Sequence, residues 1–158
     1  MKDDLHYMQI ALQQAELAAD ADEVPVGAVL VLSGAQVFSA HNAPITQHDA
    51  SAHAEMRVIR SACQAINNYR LNGSTLYVTL EPCCMCAGAI VHARIDRLVF
   101  AATDPKTGAV ESLYQLLNDQ RLNHQVEITS GLMSEASSTL LKQFFKARRS
   151  NRNKTEIK

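Results

Sequence analysis

Two short stretches carry residue types that can hold a metal and move a proton: Cys83-Cys84-Met85-Cys86 and, thirty positions upstream, His53-Ala54-Glu55. Residues three apart on a helix share a face, so Cys83 and Cys86 can meet one ion while Cys84 turns away. Pro82 cannot continue a strand ladder but suits a first helical position, which predicts a strand-to-helix junction there, with both thiols in the first turn. A helix N-terminus favours thiolate, the form that binds metal. Two thiolates do not fill a tetrahedron, and His53 supplies a third donor through either ring nitrogen. Three protein ligands leave zinc's fourth position open to water, the catalytic arrangement. Glu55 then remains free to carry protons.

Plainer readings compete with this one. A lone C-x-x-C can be a redox pair or half of a structural zinc site. Cys84 as a fourth ligand would close the site. The joint occurrence of His, Glu two residues later, and Pro before the first Cys outweighs both. Cys63 lies ten residues past His53, about 15 Å along a helix, too far to share the ion. It reads as a small buried core residue.

The elements that must position these groups follow from hydrophobic periodicity. Helical spacing of Met8, Ala11, Leu12, Ala15 and Ala18 predicts a helix over 7–19. The apolar run 26–32, a turn at Ser33-Gly34 and the stretch 36–40 predict a hairpin, and Asn42-Ala43-Pro44 a loop. Asn42, polar and just past a strand, is equally suited to a ligand or to closing the turn. The His53–Glu55 segment opens a helix whose buried face continues through Met56, Ile59, Ala62, Cys63 and Ile66. Strands are expected over 75–80, 96–101 and 126–129, a short helix over 112–117, and a long one over 134–149 with Ser134 as N-cap. The loop Asp104-Pro105-Lys106-Thr107-Gly108 follows a strand's C-terminal end, a common place for binding groups.

The chain has 158 residues, 47% of them hydrophobic and 20% charged, with net charge −1. This is the size and make-up of one globular domain. We expect that domain over 1–150 and a basic tail over 151–158. No apolar run suggests a membrane span, and the opening Met1-Lys2-Asp3-Asp4 is unlike an export signal. Four cysteines without such a signal suggest a reducing, cytoplasmic setting. The near-neutral total hides a cationic end: Lys142, Lys146, Arg148, Arg149, Arg152, Lys154 and Lys158 face only Glu156 in that stretch. Phe144 and Phe145 beside these charges could stack on and clamp nucleic acid.

H-x-E with a distant P-C-x-x-C is the signature of zinc nucleobase deaminases. The fuller blocks Glu23-Val24-Pro25-Val26-Gly27-Ala28-Val29, Ala52-His53-Ala54-Glu55, Leu76-Tyr77-Val78-Thr79-Leu80-Glu81-Pro82-Cys83 and Met85-Cys86-Ala87-Gly88-Ala89 resemble the bacterial tRNA-specific adenosine deaminases of the cytidine deaminase superfamily. Asp104-x-Lys106-Thr107-Gly108 and Asn123-His124 extend the match. The resemblance implies an α/β fold, the three-layer α/β/α cytidine deaminase-like arrangement with a central mixed five-stranded sheet. It implies one Zn²⁺ per subunit on His53, Cys83 and Cys86, with Glu55 catalytic. It further implies conversion of adenosine to inosine at the wobble position of a tRNA anticodon, typically of an arginine tRNA, by a homodimer. Asn42 and Ala54 fall where the family meets the flipped base, and Asp104, Lys106, Phe145, Arg148 and Arg149 where it meets the anticodon arm. Cys84, Thr103 and Glu111 depart from the family pattern. The rival readings are a free nucleoside or base deaminase, acting on cytidine, adenosine or guanine, and a non-catalytic zinc-containing RNA-binding subunit. The basic C-terminal helix weighs against the first and Glu55 against the second.

Overall fold

The computed structural model describes residues 2–33 and 35–156. Gly34 of the expected hairpin turn and Lys158 of the basic tail lie outside the described residues. Strands β1 (Gly27–Val31), β2 (Val37–His41), β3 (Thr75–Leu80), β4 (Arg97–Ala102) and β5 (Glu127–Ser130) form one sheet in the order β2-β1-β3-β4-β5. β1 runs antiparallel to β2 and β3, while β3, β4 and β5 are parallel. The expected mixed five-stranded sheet is therefore present. Helices α1 (Lys2–Asp20), α2 (Pro44–Gln47), α3 (Ala54–Ile66), α4 (Cys84–His92) and α5 (Ser134–Glu156) surround it.

Period-two alternation divides the core between the two faces. Val29, Tyr77 and Val99 are in register across β1, β3 and β4 and pack with Met8 and Ala11 of α1. Their neighbours Ala28, Leu30, Leu76, Val78, Leu98 and Phe100 point the other way, into the cluster that holds Val58 and Ala62 of α3 and Ala87 and Ile90 of α4. At Gly27, α1 lies directly on the sheet: a Cβ there would meet the Ala11 carbonyl oxygen at 2.0 Å.

Several elements differ from expectation. α1 begins at Lys2, five residues early. Asp3 and Asp4 favour a helix start, and Asp4 is fastened to the sheet by Arg97 (2.7 and 3.0 Å) and by the Tyr77 hydroxyl (2.8 Å). The loop after β2 contains the short helix α2, whose amides at Ile45 and Thr46 donate to the distant Glu23 carboxylate at 3.0 and 2.9 Å. The helix expected over 112–117 is replaced by a turn and a 3₁₀ segment, Leu116–Asn118. α5 continues seven residues beyond Arg149, to Glu156. Ser134 is its first helical residue rather than its cap, and Ser137 Oγ donates to the Thr79 carbonyl of β3. Cys63 is only half-buried, and its thiol lies 3.5 Å from the Tyr69 carbonyl.

Candidate active site

Two helix N-termini deliver the three donors, α3 after the loop that follows α2 and α4 directly after β3. His53 is the N-cap of α3, with extended backbone (φ −66°, ψ 152°), and Cys83 is the N-cap of α4 (φ −77°, ψ 177°). Pro82 therefore stands one residue before the cap and not at the first helical position expected for it. The consequence for the thiols is small, since Cys83 and Cys86 still share a face. His53 Nδ1 lies 3.6 Å from each sulfur, and all three donor atoms fall within 4.8 Å of one another. Zinc bonds of about 2.3 Å to sulfur and about 2.0–2.1 Å to nitrogen, at tetrahedral angles, require N···S separations of about 3.6 Å. The donor set fits that ion, and Nδ1 is the nitrogen that faces the two sulfurs. Cys84 is exposed, turned away from the donors and also from the core.

The charges suit a cation. A hydrogen bond from Cys86 and another from His53 pull the Cys83 thiol down to about 4, while Cys86, bonded to Cys83 and buried, is pushed up. His53 is raised mainly by its hydrogen bond to Cys83. A divalent ion bound by these groups would favour both thiols as thiolates and the imidazole as neutral, since metal ligands bind deprotonated.

Glu55 sits one helical position past Ala54 and is 4% exposed. Burial raises its carboxyl to about 7, which makes it able to accept and return a proton near neutral pH. It shares a cavity of ≈ 210 Å³ with His53, Cys83, Asn42, Asp104 and Thr107. That is below the roughly 300–1,000 Å³ of sites for drug-sized ligands, and suits a single ring system. Asn42 is nearly buried at the cavity wall. Ala54 is fully buried in the α3-side core and is not among the residues that line the cavity. A larger cavity of ≈ 400 Å³, between Gly88, Val91, His92, Leu116 and Leu122, shares no lining residue with the donors.

Two buried carboxylates organise the rim, and spacing gave no sign of either. Glu81, 2% exposed, accepts hydrogen bonds from the amides of Asp104 (3.1 Å), Val110 (3.1 Å), Glu111 (2.9 Å) and Ser112 (3.0 Å) and from Ser112 Oγ (2.6 Å). Burial alone would raise its pKa. The amides of Glu111, Ser112 and Asp104 and the Ser112 hydroxyl reverse this and hold it at about 2. Glu23, 1% exposed, does the same for α2 and so fixes the segment after Asn42. For Glu81 the available signal was composition, a carboxylate between Leu80 and Pro82 at the end of an apolar strand, which is seldom buried unless bonded; Glu23, beside Asp20 and Asp22, gave none.

The cationic residues divide into two places. Lys106, Lys142, Phe145 and Arg149 line one groove together with Leu141. Asp104 ties its own loop by accepting from the Lys106 and Thr107 amides and from Thr107 Oγ1 (2.7 Å). Arg148 is elsewhere: its guanidinium lies 5.0 Å over the Phe144 ring and donates to the Asp22 carbonyl at 3.2 Å.

A family model described as MafB19-like deaminase matches residues 2–149. The chain is 48% identical over 146 residues to the tRNA-specific adenosine deaminase of Bacillus subtilis, covering 92% of this chain and 91% of that one. It is 50% identical over 143 residues to the protein of that name from Haemophilus influenzae, covering 90% and 83%. A solved structure from work on A-to-I editing by tRNA:A34 deaminases at the wobble position of transfer RNA superposes with a TM-score of 0.82, at 48% identity over 86% of this chain and 99% of the other. A guanine deaminase from Nitrosomonas europaea shares the fold at 21% identity and a TM-score of 0.77, covering 89% and 83%. With the His53–Cys83–Cys86 group, the buried Glu55 and this extent of identity in view, the chain belongs to the family of tRNA-specific adenosine deaminases.

Proposed function

We propose that the protein hydrolytically deaminates adenosine to inosine at the wobble position of a tRNA anticodon, with an arginine tRNA as the expected substrate. The observation that carries this reading is a group of three candidate zinc donors, two of which, His53 and Cys83, open onto one small cavity together with Asn42 and a buried carboxylate near neutral pKa. His53 Nδ1, Cys83 and Cys86 would hold one zinc per subunit, and the ion supplies Lewis acidity that makes a water nucleophilic near neutral pH. Asn42 donates to and accepts from the edge of the extruded base and orients it. Glu55 takes a proton from the attacking water as its oxygen bonds C6, and delivers one to ring nitrogen N1. It then passes the second water proton to the C6 amine, which leaves as ammonia. One carboxyl serves as base and then acid, a task suited to a pKa of about 7. The apolar walls of the cavity, Val24, Val26 and Leu80, keep bulk water from the reacting edge.

The substrate assignment draws on the relatives' names and on the groove of Lys106, Lys142, Phe145 and Arg149, which adjoins loop 104–112 and so the cavity rim. Anticodon bases are unpaired and cheap to splay out. A homodimer fits the apolar groove over Gly88, Val91, Leu116 and Leu122. A cytoplasmic site follows from a tRNA substrate. Among the described residues no helix is long and apolar enough to cross a membrane. The deciding assay is inosine formation on a panel of tRNA transcripts and anticodon stem-loops, set beside free adenosine, cytidine and guanine. Turnover of an arginine anticodon stem-loop well above the free compounds is expected, and efficient turnover of a free compound alone would overturn the assignment.

A further inference from the structure

We propose that Glu81 is a positioning residue: its carboxylate registers the substrate-facing loop 104–112 against the turn that bears Cys83, so that the base cavity and the cationic groove act as one unit. This rests on the tRNA-deaminase reading above. Glu81 stands two residues before Cys83, at the end of β3, and its own amide donates to the Ala102 carbonyl at the end of β4 (2.8 Å). Every one of its five side-chain hydrogen bonds comes from the loop between Asp104 and Ser112. A further bond, from the Ala109 amide to the Pro82 carbonyl (2.8 Å), joins the same loop to the residue beside the ligand. The loop in turn supplies Asp104 and Thr107 to the cavity and Lys106 to the groove. Its approach is close: a Cβ on Gly108 would fall 2.3 Å from Glu81 Oε2 and 2.6 Å from the Asp104 carbonyl oxygen.

The bond pattern identifies a selective variant. Oε2 receives the three amides of Val110, Glu111 and Ser112, whereas Oε1 receives the Asp104 amide and Ser112 Oγ. In Glu81→Gln the amide oxygen can keep the first three donors. The NH₂ group then faces Ser112 Oγ, which can reverse and accept, and the Asp104 N–H, which cannot. The substitution therefore releases Asp104, the residue that opens the loop and lines the cavity wall. Gly108→Ala disturbs the same contact from the other side, with no change in charge.

The test compares full-length, zinc-loaded wild type, Glu81→Gln and Gly108→Ala. Zinc content, backbone amide exchange and steady-state kinetics on an arginine anticodon stem-loop are measured for each. Both variants should keep one zinc per chain and exchange the amides of 104–112 faster. Both should raise KM by about tenfold, the scale of one lost hydrogen bond to a charged group, with a smaller change in kcat. Wild-type exchange and KM in both variants would overturn the proposal. So would loss of activity in step with loss of zinc, because Glu81 would then serve the metal turn and not the loop. If zinc-loaded wild type fails to deaminate the stem-loop, the functional reading fails, while the exchange data still decide whether Glu81 holds the loop.

Discussion

Replacing Arg148 and Arg149 one at a time by alanine should give two unlike enzymes, although the residues are adjacent. Arg149 lines the groove with Lys106, Lys142 and Phe145, where a phosphate backbone can lie. Each phosphate contact contributes about 0.7 to the slope of log affinity against log salt for single strands, so its loss costs about 2.6-fold in affinity at low salt relative to the same comparison at fourfold higher salt. Removing Lys106, Lys142 and Arg149 together should lower the slope by about 2 and the salt-dependent part of the affinity by about twentyfold. Arg148 instead lies over Phe144 of its own helix and ties α5 to the segment after α1 through the Asp22 carbonyl. An exposed cation–π contact of that kind is worth about 0.5–1 kcal/mol, which in a domain of this size lowers Tm by roughly 1–4 °C. The assay is anisotropy of a labelled anticodon stem-loop over a salt series, alongside thermal melts. A reduced slope with unchanged Tm is expected for Arg149→Ala, and an unchanged slope with reduced Tm for Arg148→Ala. Equal slopes in the two variants, or the reverse assignment, would refute the division of labour.

Three further outcomes are expected. Glu55→Gln should retain zinc, measured by metal analysis, and lose about 10²–10⁴-fold in single-turnover rate, the usual span of a proton-transferring group; a near-normal rate would remove Glu55 from the mechanism. Glu81 titrates at about 2 in the fold against an ordinary 4.5, so the native state binds fewer protons than the unfolded chain between those values. Its stabilisation is complete above the unfolded pKa and is lost as pH falls through the folded one, a difference of up to about 3 kcal/mol. Urea midpoints of wild type and Glu81→Gln should therefore converge as pH drops from 6 towards 2.5, and parallel curves would contradict this. Gly27→Ala drives a Cβ into the α1 backbone at 2.0 Å from the Ala11 oxygen, and overpacking of this kind costs about 1–3 kcal/mol or more; an unchanged denaturation midpoint would show that α1 yields freely.

What was legible in the sequence was whatever is encoded locally. The strand before Pro82 and the cysteine spacing placed the thiols on one face, and the periodicity from Met56 to Ile66 placed α3. Pairs distant along the chain were not legible. Glu23 reaches Thr46 across 23 positions and Glu81 reaches Ser112 across 31, and neither spacing corresponds to a turn of helix or a step of strand. The same blindness explains α1, whose first turn is held by Arg97, 93 residues away. Arg148 and Arg149 read as one charge cluster because adjacency in sequence says nothing of the 100° that separates neighbours on a helix.

Both ligand-bearing helix caps carry an energetic consequence. His53 and Cys83 occupy N-cap positions, yet neither side chain bonds its own helix's amides. Serine or aspartate at such a position typically stabilises a helix by about 1 kcal/mol relative to a residue that does not cap. A search for more heat-resistant variants, scored only by folding, would therefore favour His53→Asp and Cys83→Ser, the two changes that dismantle the donor set. Thermostability selections on this scaffold need both positions withheld, because here robustness and turnover pull on the same two side chains.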